Sequence, residues 1–160
     1  MALEIEHKFL VTGDGWRQAV ERSVRFSQGY LVSDDIRSVR VRLEGDEARL
    51  NIKRSGIGTS RAEYEWPIPP AEAAEILATL CGARVEKTRH FVHHAGHLWE
   101  IDEFAGDNAG LVVAEVELAF EGEPFARPDW VGADVSHELR YYNSQLAVRP
   151  YRDWTDAERG

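Results

Sequence analysis

Charges of one sign recur two residues apart along most of this chain: Glu4/Glu6 followed by Lys8, Arg40/Arg42, Glu63/Glu65, Lys87/Arg89, Glu100/Asp102 and Glu115/Glu117, with Lys53 alone in its segment. Residues two apart share a face of a β-strand but not of a helix, so the pattern demands extended chain. The alternate positions are apolar (Val39/Val41/Leu43, Leu50/Ile52, Tyr64/Trp66, Trp99/Ile101, Val116/Leu118) and offer a second face on which helices can pack. A sheet with one wet side produces such alternation without further purpose. The sorting by sign is harder to explain that way, because a solvated face mixes Lys, Glu, Thr and Ser, and like charges side by side gain nothing structurally.

Period-2 segments run over 2–11, 26–32, 36–44, 47–54, 61–68, 85–95, 97–104 and 111–121, which predicts eight strands, with a tight hairpin at Gly45-Asp46. A short helix is expected after Asp14, carrying Trp16, Ala19 and Val20. The clearest helix is 70–81, opened by Pro69-Pro70 and closed by Gly82, with Ala73, Ile76, Leu77 and Leu80 as its apolar stripe. Beyond 121 the chain reads as a loop followed by one or two short helices, and the polar tail from Arg152 is expected to fray. With 160 residues, one domain spanning 1–160 is expected.

The balance of 28 acids against 19 bases, a net charge of −9, argues against nucleic acid or an anionic membrane as partner. No apolar run approaches the roughly 20 residues of a membrane span. The single cysteine, Cys81, excludes an internal disulfide framework and suits packing better than catalysis; a cytoplasmic protein is the expectation. Trp130, Tyr151 and Trp154 lie outside the paired-charge strands and are expected to cover apolar surface.

If the eight strands close into a barrel with the charges inside, eight acids and six bases line one cavity, a formal −2. Burying them unpaired would be prohibitive. Separate acidic and basic walls resolve the difficulty: carboxylates can hold hard divalent cations, while Arg and Lys hold a polyanion. Two such cations would carry the lining to +2, so an acidic protein can accept an anionic substrate. Tyr30 follows a glycine on a strand and could hydrogen-bond to substrate or to Lys8. His90, His93, His94 and His97 cluster near a hairpin end, but with no cysteine nearby a zinc site there is disfavoured.

Glu4-Ile5-Glu6-His7-Lys8 resembles the N-terminal ExExK signature of the CYTH domain, or triphosphate tunnel metalloenzymes. The likeness continues in order through Gln28-Gly29-Tyr30-Leu31, Arg40/Arg42, Lys53, Glu63/Glu65, Lys87-Thr88-Arg89, Glu100/Asp102 and Glu115/Glu117, and covers nearly everything from Leu3 to Ala147. The resemblance implies a mainly β (α+β) fold: an eight-stranded antiparallel β-barrel forming a tunnel, with helices packed outside and a C-terminal helix near the tunnel mouth. It implies a small stand-alone inorganic triphosphatase that hydrolyses tripolyphosphate to pyrophosphate and phosphate with Mg²⁺ or Mn²⁺, two ions per site. Metal ligands would come from Glu4, Glu6, Glu115 and Glu117, and also Glu63, Glu65, Glu100 and Asp102. Lys8, Arg40, Arg42, Lys53, Lys87 and Arg89 would bind phosphate, with Lys8 and Tyr30 as candidate catalytic groups. Thiamine or nucleoside triphosphatase, adenylate cyclase, or a non-catalytic polyphosphate-binding module are the alternatives. The cyclase is disfavoured because the His-Phe pair expected ahead of the signature is missing. A homodimer is compatible with the resemblance. Tyr141–Ala147 resembles the family's C-terminal element at the tunnel mouth, although His137-Glu138-Leu139 departs from the Asp-Pro-like turn expected before it.

Overall fold

The computed structural model describes residues 2–160. Nine strands form one antiparallel sheet: β1 (Leu3–Val11), β2 (Arg22–Ser33), β3 (Arg37–Glu44), β4 (Glu47–Arg54), β5 (Ser60–Pro67), β6 (Val85–His94), β7 (His97–Phe104), β8 (Val112–Glu117) and β9 (Val131–Asp134). Eight of them close a barrel in the order β1-β5-β4-β3-β2-β6-β7-β8 and back to β1. β1 makes the closure by using both edges. One edge pairs with β8 along Glu6–Leu10, and the other is shared between β5, at Leu3–Ile5, and β9, at Phe9 and Val11. The short ninth strand thus covers the stretch of edge that β5 leaves bare.

The pleat turns the apolar set outward and the charged set inward. Over β1, β7 and β8 the outer face is Phe9, Trp99, Ile101, Ala114 and Val116, sealed by Trp16 from a 3-10 turn at Gly15–Ala19 and by Trp130. Full burial of a side chain such as Phe9 or Ile101 contributes about 1.5–3 kcal/mol, so this layer carries much of the stability. Over β3 and β4, helix α1 (Pro70–Thr79) packs Ala73 and Leu77 against Val41 and Ala48. Its C-terminal end crosses β2 so closely that a Cβ on Gly29 would fall 2.8 Å from the Cys81 Cβ, and only glycine fits. One end of the barrel is plugged from within: the inward-facing Val85, Phe104 and Val113 meet Tyr141 and Leu146, the latter on helix α2 (Asn143–Val148), with Trp154 behind.

Several sequence expectations are revised. The helix after Asp14 is a 3-10 turn, and Asp14 caps it with its carbonyl rather than its side chain. β2 begins at Arg22 and β8 ends at Glu117, where the Leu118 amide turns to donate to the Ile5 carbonyl. α1 stops at Thr79, leaving Leu80 exposed. Tyr64 and Trp66 are not covered by a helix; they stack on each other at 6.4 Å, half exposed, because α1 lies over β3 and β4. The tail is tied to the body: α3 (Asp156–Arg159) has a Thr155/Glu158 capping box, and Glu158 takes two hydrogen bonds from Arg149. No helix among the described residues is long and apolar enough to cross a membrane.

Candidate active site

The strand order decides how the inward charges meet. Around the barrel, β7, β8, β1 and β5 are neighbours, and they carry Glu100, Glu115/Glu117, Glu4/Glu6 and Glu63/Glu65. The other four neighbours, β4, β3, β2 and β6, carry Lys53, Arg40/Arg42, Tyr30 and Lys87/Arg89. Sign-sorting along the sequence therefore becomes an acidic arc facing a basic arc across a cavity of about 220 Å³. Lys8 and Arg61 are the two cations set within the acidic arc.

Most of the bases are held by carboxylates. Lys87, fully buried, donates to Asp102 Oδ2 at 2.7 Å and to Asn143 Oδ1 at 3.0 Å. Arg89 grips the same Asp102 through two bonds of 2.7 and 2.9 Å and also pairs with Glu100. Burial pushes Lys87 down to about 8, partly offset by Asp102; Arg89 and Lys87 together override burial and hold Asp102 below its ordinary value. Arg42 pairs with Glu44 and lies 3.7 Å from Glu65. Lys53 pairs with Glu4 and stands 3.9 Å from Glu6 and 3.8 Å from Glu63, which raises its pKa despite burial. Lys8 donates to the Tyr141 carbonyl at 3.1 Å and lies 3.6 Å from Glu115. Arg40 differs: its Nε is buried with no partner, and it lies beside Tyr30.

The acidic arc holds fewer counter-charges at its centre. Burial and the neighbouring Glu115 carboxylate raise Glu6 well above the usual range. Glu115, where Lys8, Arg89 and Lys87 outweigh burial, lies well below it. The two neighbouring carboxyls are thus displaced in opposite directions. Glu4, Glu100 and Glu117 are also raised, each first by burial. Asn51 donates to Glu63 at 3.1 Å and Glu65 at 2.9 Å.

The donor set near Glu4, Glu6, Glu115 and Glu117 is all oxygen, the chemistry that a hard divalent cation takes. Among the described residues no three Asp, Glu, His or Cys side chains converge into a ready metal cage.

Every candidate drawn from the sequence lines the cavity except Asp102, which is sealed behind Lys87 and Arg89 with both oxygens engaged and does not face the space as a ligand. Sequence reasoning missed Arg61, Ser38 and Asn51, and gave no role to Gln28 or Asn143 although it matched the segments that hold them. The first three share strand parity with Glu63, Arg40 and Lys53, a signal that was readable. With Asp102 out and Arg61 in, seven carboxylates and seven cations line the cavity, so its formal charge is zero rather than −2. The histidines lie elsewhere, at carboxylates: His90 at Glu103, His93 at Glu21 and His97 at Glu123. Despite the atypical turn before it, the 141–147 segment does reach the tunnel, with Tyr142, Asn143 and Ser144 in the lining.

Comparison with known proteins agrees with this geometry. The CYTH domain model matches residues 2–151. An inorganic triphosphatase of Acetivibrio thermocellus is 45% identical over 98% of this chain and all of its own length. One from Nitrosomonas europaea is 38% identical over 91% of this chain and 97% of its own. The crystal structure of an inorganic triphosphatase with 36% identity superposes with a TM-score of 0.65, covering 92% of this chain and 96% of that one. The chain belongs to the CYTH domain family.

Proposed function

We propose that the protein hydrolyses inorganic triphosphate to pyrophosphate and phosphate inside the barrel, the whole chain 1–160 acting as one unit. The observation that carries this reading is the facing of an acidic and a basic arc across one cavity inside the closed barrel, an arrangement for a polyanion on one side and its counter-cations on the other. The names of the relatives at 45% and 38% identity support it. Arg40, with an unsatisfied buried Nε, is ready to take a phosphate oxygen; Arg42, Lys53, Lys87 and Arg89 continue the track. These fixed cations stabilise charge developing on the departing pyrophosphate. Lys8, held by the Tyr141 carbonyl, acts electrostatically beside Glu115, and Tyr30 orients Arg40. Glu4, Glu6, Glu115 and Glu117 would hold the divalent cations, with Glu63, Glu65 and Glu100 at the edges; Mg²⁺ or Mn²⁺, two per site, would neutralise phosphoryl oxygens and lower the pKa of the attacking water. The single cysteine and acidic balance support a cytoplasmic setting.

The test is phosphate release from tripolyphosphate, ATP and thiamine triphosphate with Mg²⁺, Mn²⁺ or excess chelator. Tripolyphosphate with a divalent ion should give the highest kcat/KM, because the strands offer charged groups for phosphate and no site that reads a base, while Tyr142 and Asn143 at the plug are engaged with Arg61 and Lys87. Full turnover in chelator would end the metal-dependent reading, and preference for ATP would favour the nucleotide alternative.

A further inference from the structure

Beside the plug helix lies a second cavity of about 220 Å³, between the β2–β3 turn, the β4–β5 loop and α2. It shares Ser38, Arg61, Tyr142 and Ser144 with the tunnel, so the two spaces meet at these four residues. Arg61 is the one cation in its lining, against Asp34 and Asp35.

Arg61 occupies this junction in a prepared state. Its guanidinium lies 4.9 Å from the centre of the Tyr142 ring, and Tyr142 is fixed by donating to the Ser136 carbonyl at 2.6 Å and accepting from the Gly58 amide at 3.2 Å. Glu4 is its cross-strand neighbour, but the Glu4 carboxylate is taken by Lys53. Among the described residues Arg61 makes no ion pair within 4.0 Å, whereas Lys53, Lys87, Arg89 and Arg42 each do. An arriving phosphate meets here a cation that need not first release a carboxylate.

The ground beyond Arg61 is hostile to phosphate. Asp34 is locked in the turn by the amides of Arg37 and Ile36, at 2.9 and 2.8 Å, which lower its pKa; the Arg37 guanidinium lies 3.5 Å from its other oxygen and offsets part of its charge, so Asp35 carries more of the repulsion. Asp35 follows it, exposed. At the opposite mouth, where β5 and β8 end, Glu65 and Glu117 edge the opening. The cationic track is therefore bounded by carboxylates at both ends.

We infer that Arg61 and the Asp34-Asp35 pair set substrate length: Arg61 holds the terminal phosphoryl group of a three-phosphate chain, and the two aspartates repel a fourth. This rests on the triphosphatase reading and adds a specificity determinant to it. No bond is made or broken at the gate; it acts through charge alone.

The experiment compares tripolyphosphate with tetrapolyphosphate in the wild-type protein and in Asp35→Lys and Asp35→Asn, since Asp35 is exposed and among the described residues its side chain makes no hydrogen bond or ion pair whose loss would unfold the turn. Both kcat/KM with Mg²⁺ and calorimetric Kd in excess chelator, where nothing turns over, are measured. The wild type should favour tripolyphosphate by about tenfold. Asp35→Lys should raise tetrapolyphosphate kcat/KM about fivefold and change tripolyphosphate less than about twofold, with Asp35→Asn between. An unmoved ratio in the lysine variant, an equal gain for both chains, or a wild type that takes both equally would overturn the inference. Binding that shows the shifted ratio in a protein that hydrolyses neither chain would remove the triphosphatase and leave the gate.

Discussion

Two ion pairs that share strand β7 have the same length and opposite surroundings. Lys87–Asp102 and Arg17–Glu103 both span 2.7 Å, yet the first pair is 1% and 0% exposed and the second 45% and 36%. Asp102 and Glu103 are consecutive on β7, so the pleat alone sends one into the barrel and the other to solvent. Inside, removal from water governs: Lys87 falls to about 8 although an aspartate touches it. Outside, Glu103 is lowered chiefly by its hydrogen bond with Arg17, and water screens the rest. Contact distance says little about what a charge pair contributes; the side of the sheet says more.

The sharpest way to break that comparison is to remove one acid from each pair. Asp102→Ala leaves Lys87 and Arg89 buried without their shared anion and should cost about 3–5 kcal/mol of stability, whereas Glu103→Ala should cost less than about 1 kcal/mol. Chemical denaturation of both variants decides it, and equal losses would mean that the interior is wetter than the barrel suggests.

Arginines on the two sides should separate next. Arg40→Ala removes a guanidinium whose buried Nε has no protein partner, so it should lower kcat/KM for tripolyphosphate by about 30- to 1000-fold, or about 2–4 kcal/mol, with little change in Tm. Arg25, exposed and 3.5 Å from Glu86, should be replaceable without loss. Near-native activity of Arg40→Ala would remove the basic arc from substrate binding.

Lys87 also gives the interior a pH signature. Its folded pKa of about 8 lies below the ordinary 10.5. Between those values the folded protein has lost a proton that the unfolded chain still holds, so this group makes stability rise with pH across the window, by up to about 3 kcal/mol. Below about pH 8 the lysine is charged in both states and the slope vanishes. Lys87→Met should flatten the rise between pH 8 and 10.5 relative to the wild type; parallel profiles would show that Lys87 titrates normally.

The comparison also marks what the amino-acid sequence could reveal. Which side a residue faces was legible, because period 2 is local: Arg40, Arg42, Glu115 and Glu117 all point where parity puts them. Depth along the barrel axis is not, because it depends on the stagger between strands; parity alone groups Asp102 with Glu100, although Asp102 lies sealed behind Arg89. β9 escaped notice because Val131–Asp134 has one apolar residue at each of two positions and too few residues to show alternation. Tyr64 and Trp66 read as a helix-covered face because aromatic residues alternate with Glu63 and Glu65, but which strands a helix covers follows from where α1 leaves β5. Asn143 carried no periodic signal, yet it links α2 to Lys87 and to Gln28.

Arg49 offers the smallest and finest test, since it shares a face with Asn51 and Lys53 but sits near the Gly45 turn where the barrel opens. Its side chain is 38% exposed and lies 3.6 Å from Glu44 and 3.5 Å from Glu65, outside the cavity lining. Parity alone would rank it with Arg40; depth and exposure rank it with Arg25. Water screens its charge, and both of its carboxylate partners retain Arg42, so truncation leaves no acid stranded. Arg49→Ala should therefore lower kcat/KM for tripolyphosphate by less than about threefold and stability by less than about 1 kcal/mol. A loss as large as that of Arg40→Ala would show that substrate reaches the open mouth, and that facing inward, rather than lying deep, is what recruits an arginine to the phosphate track.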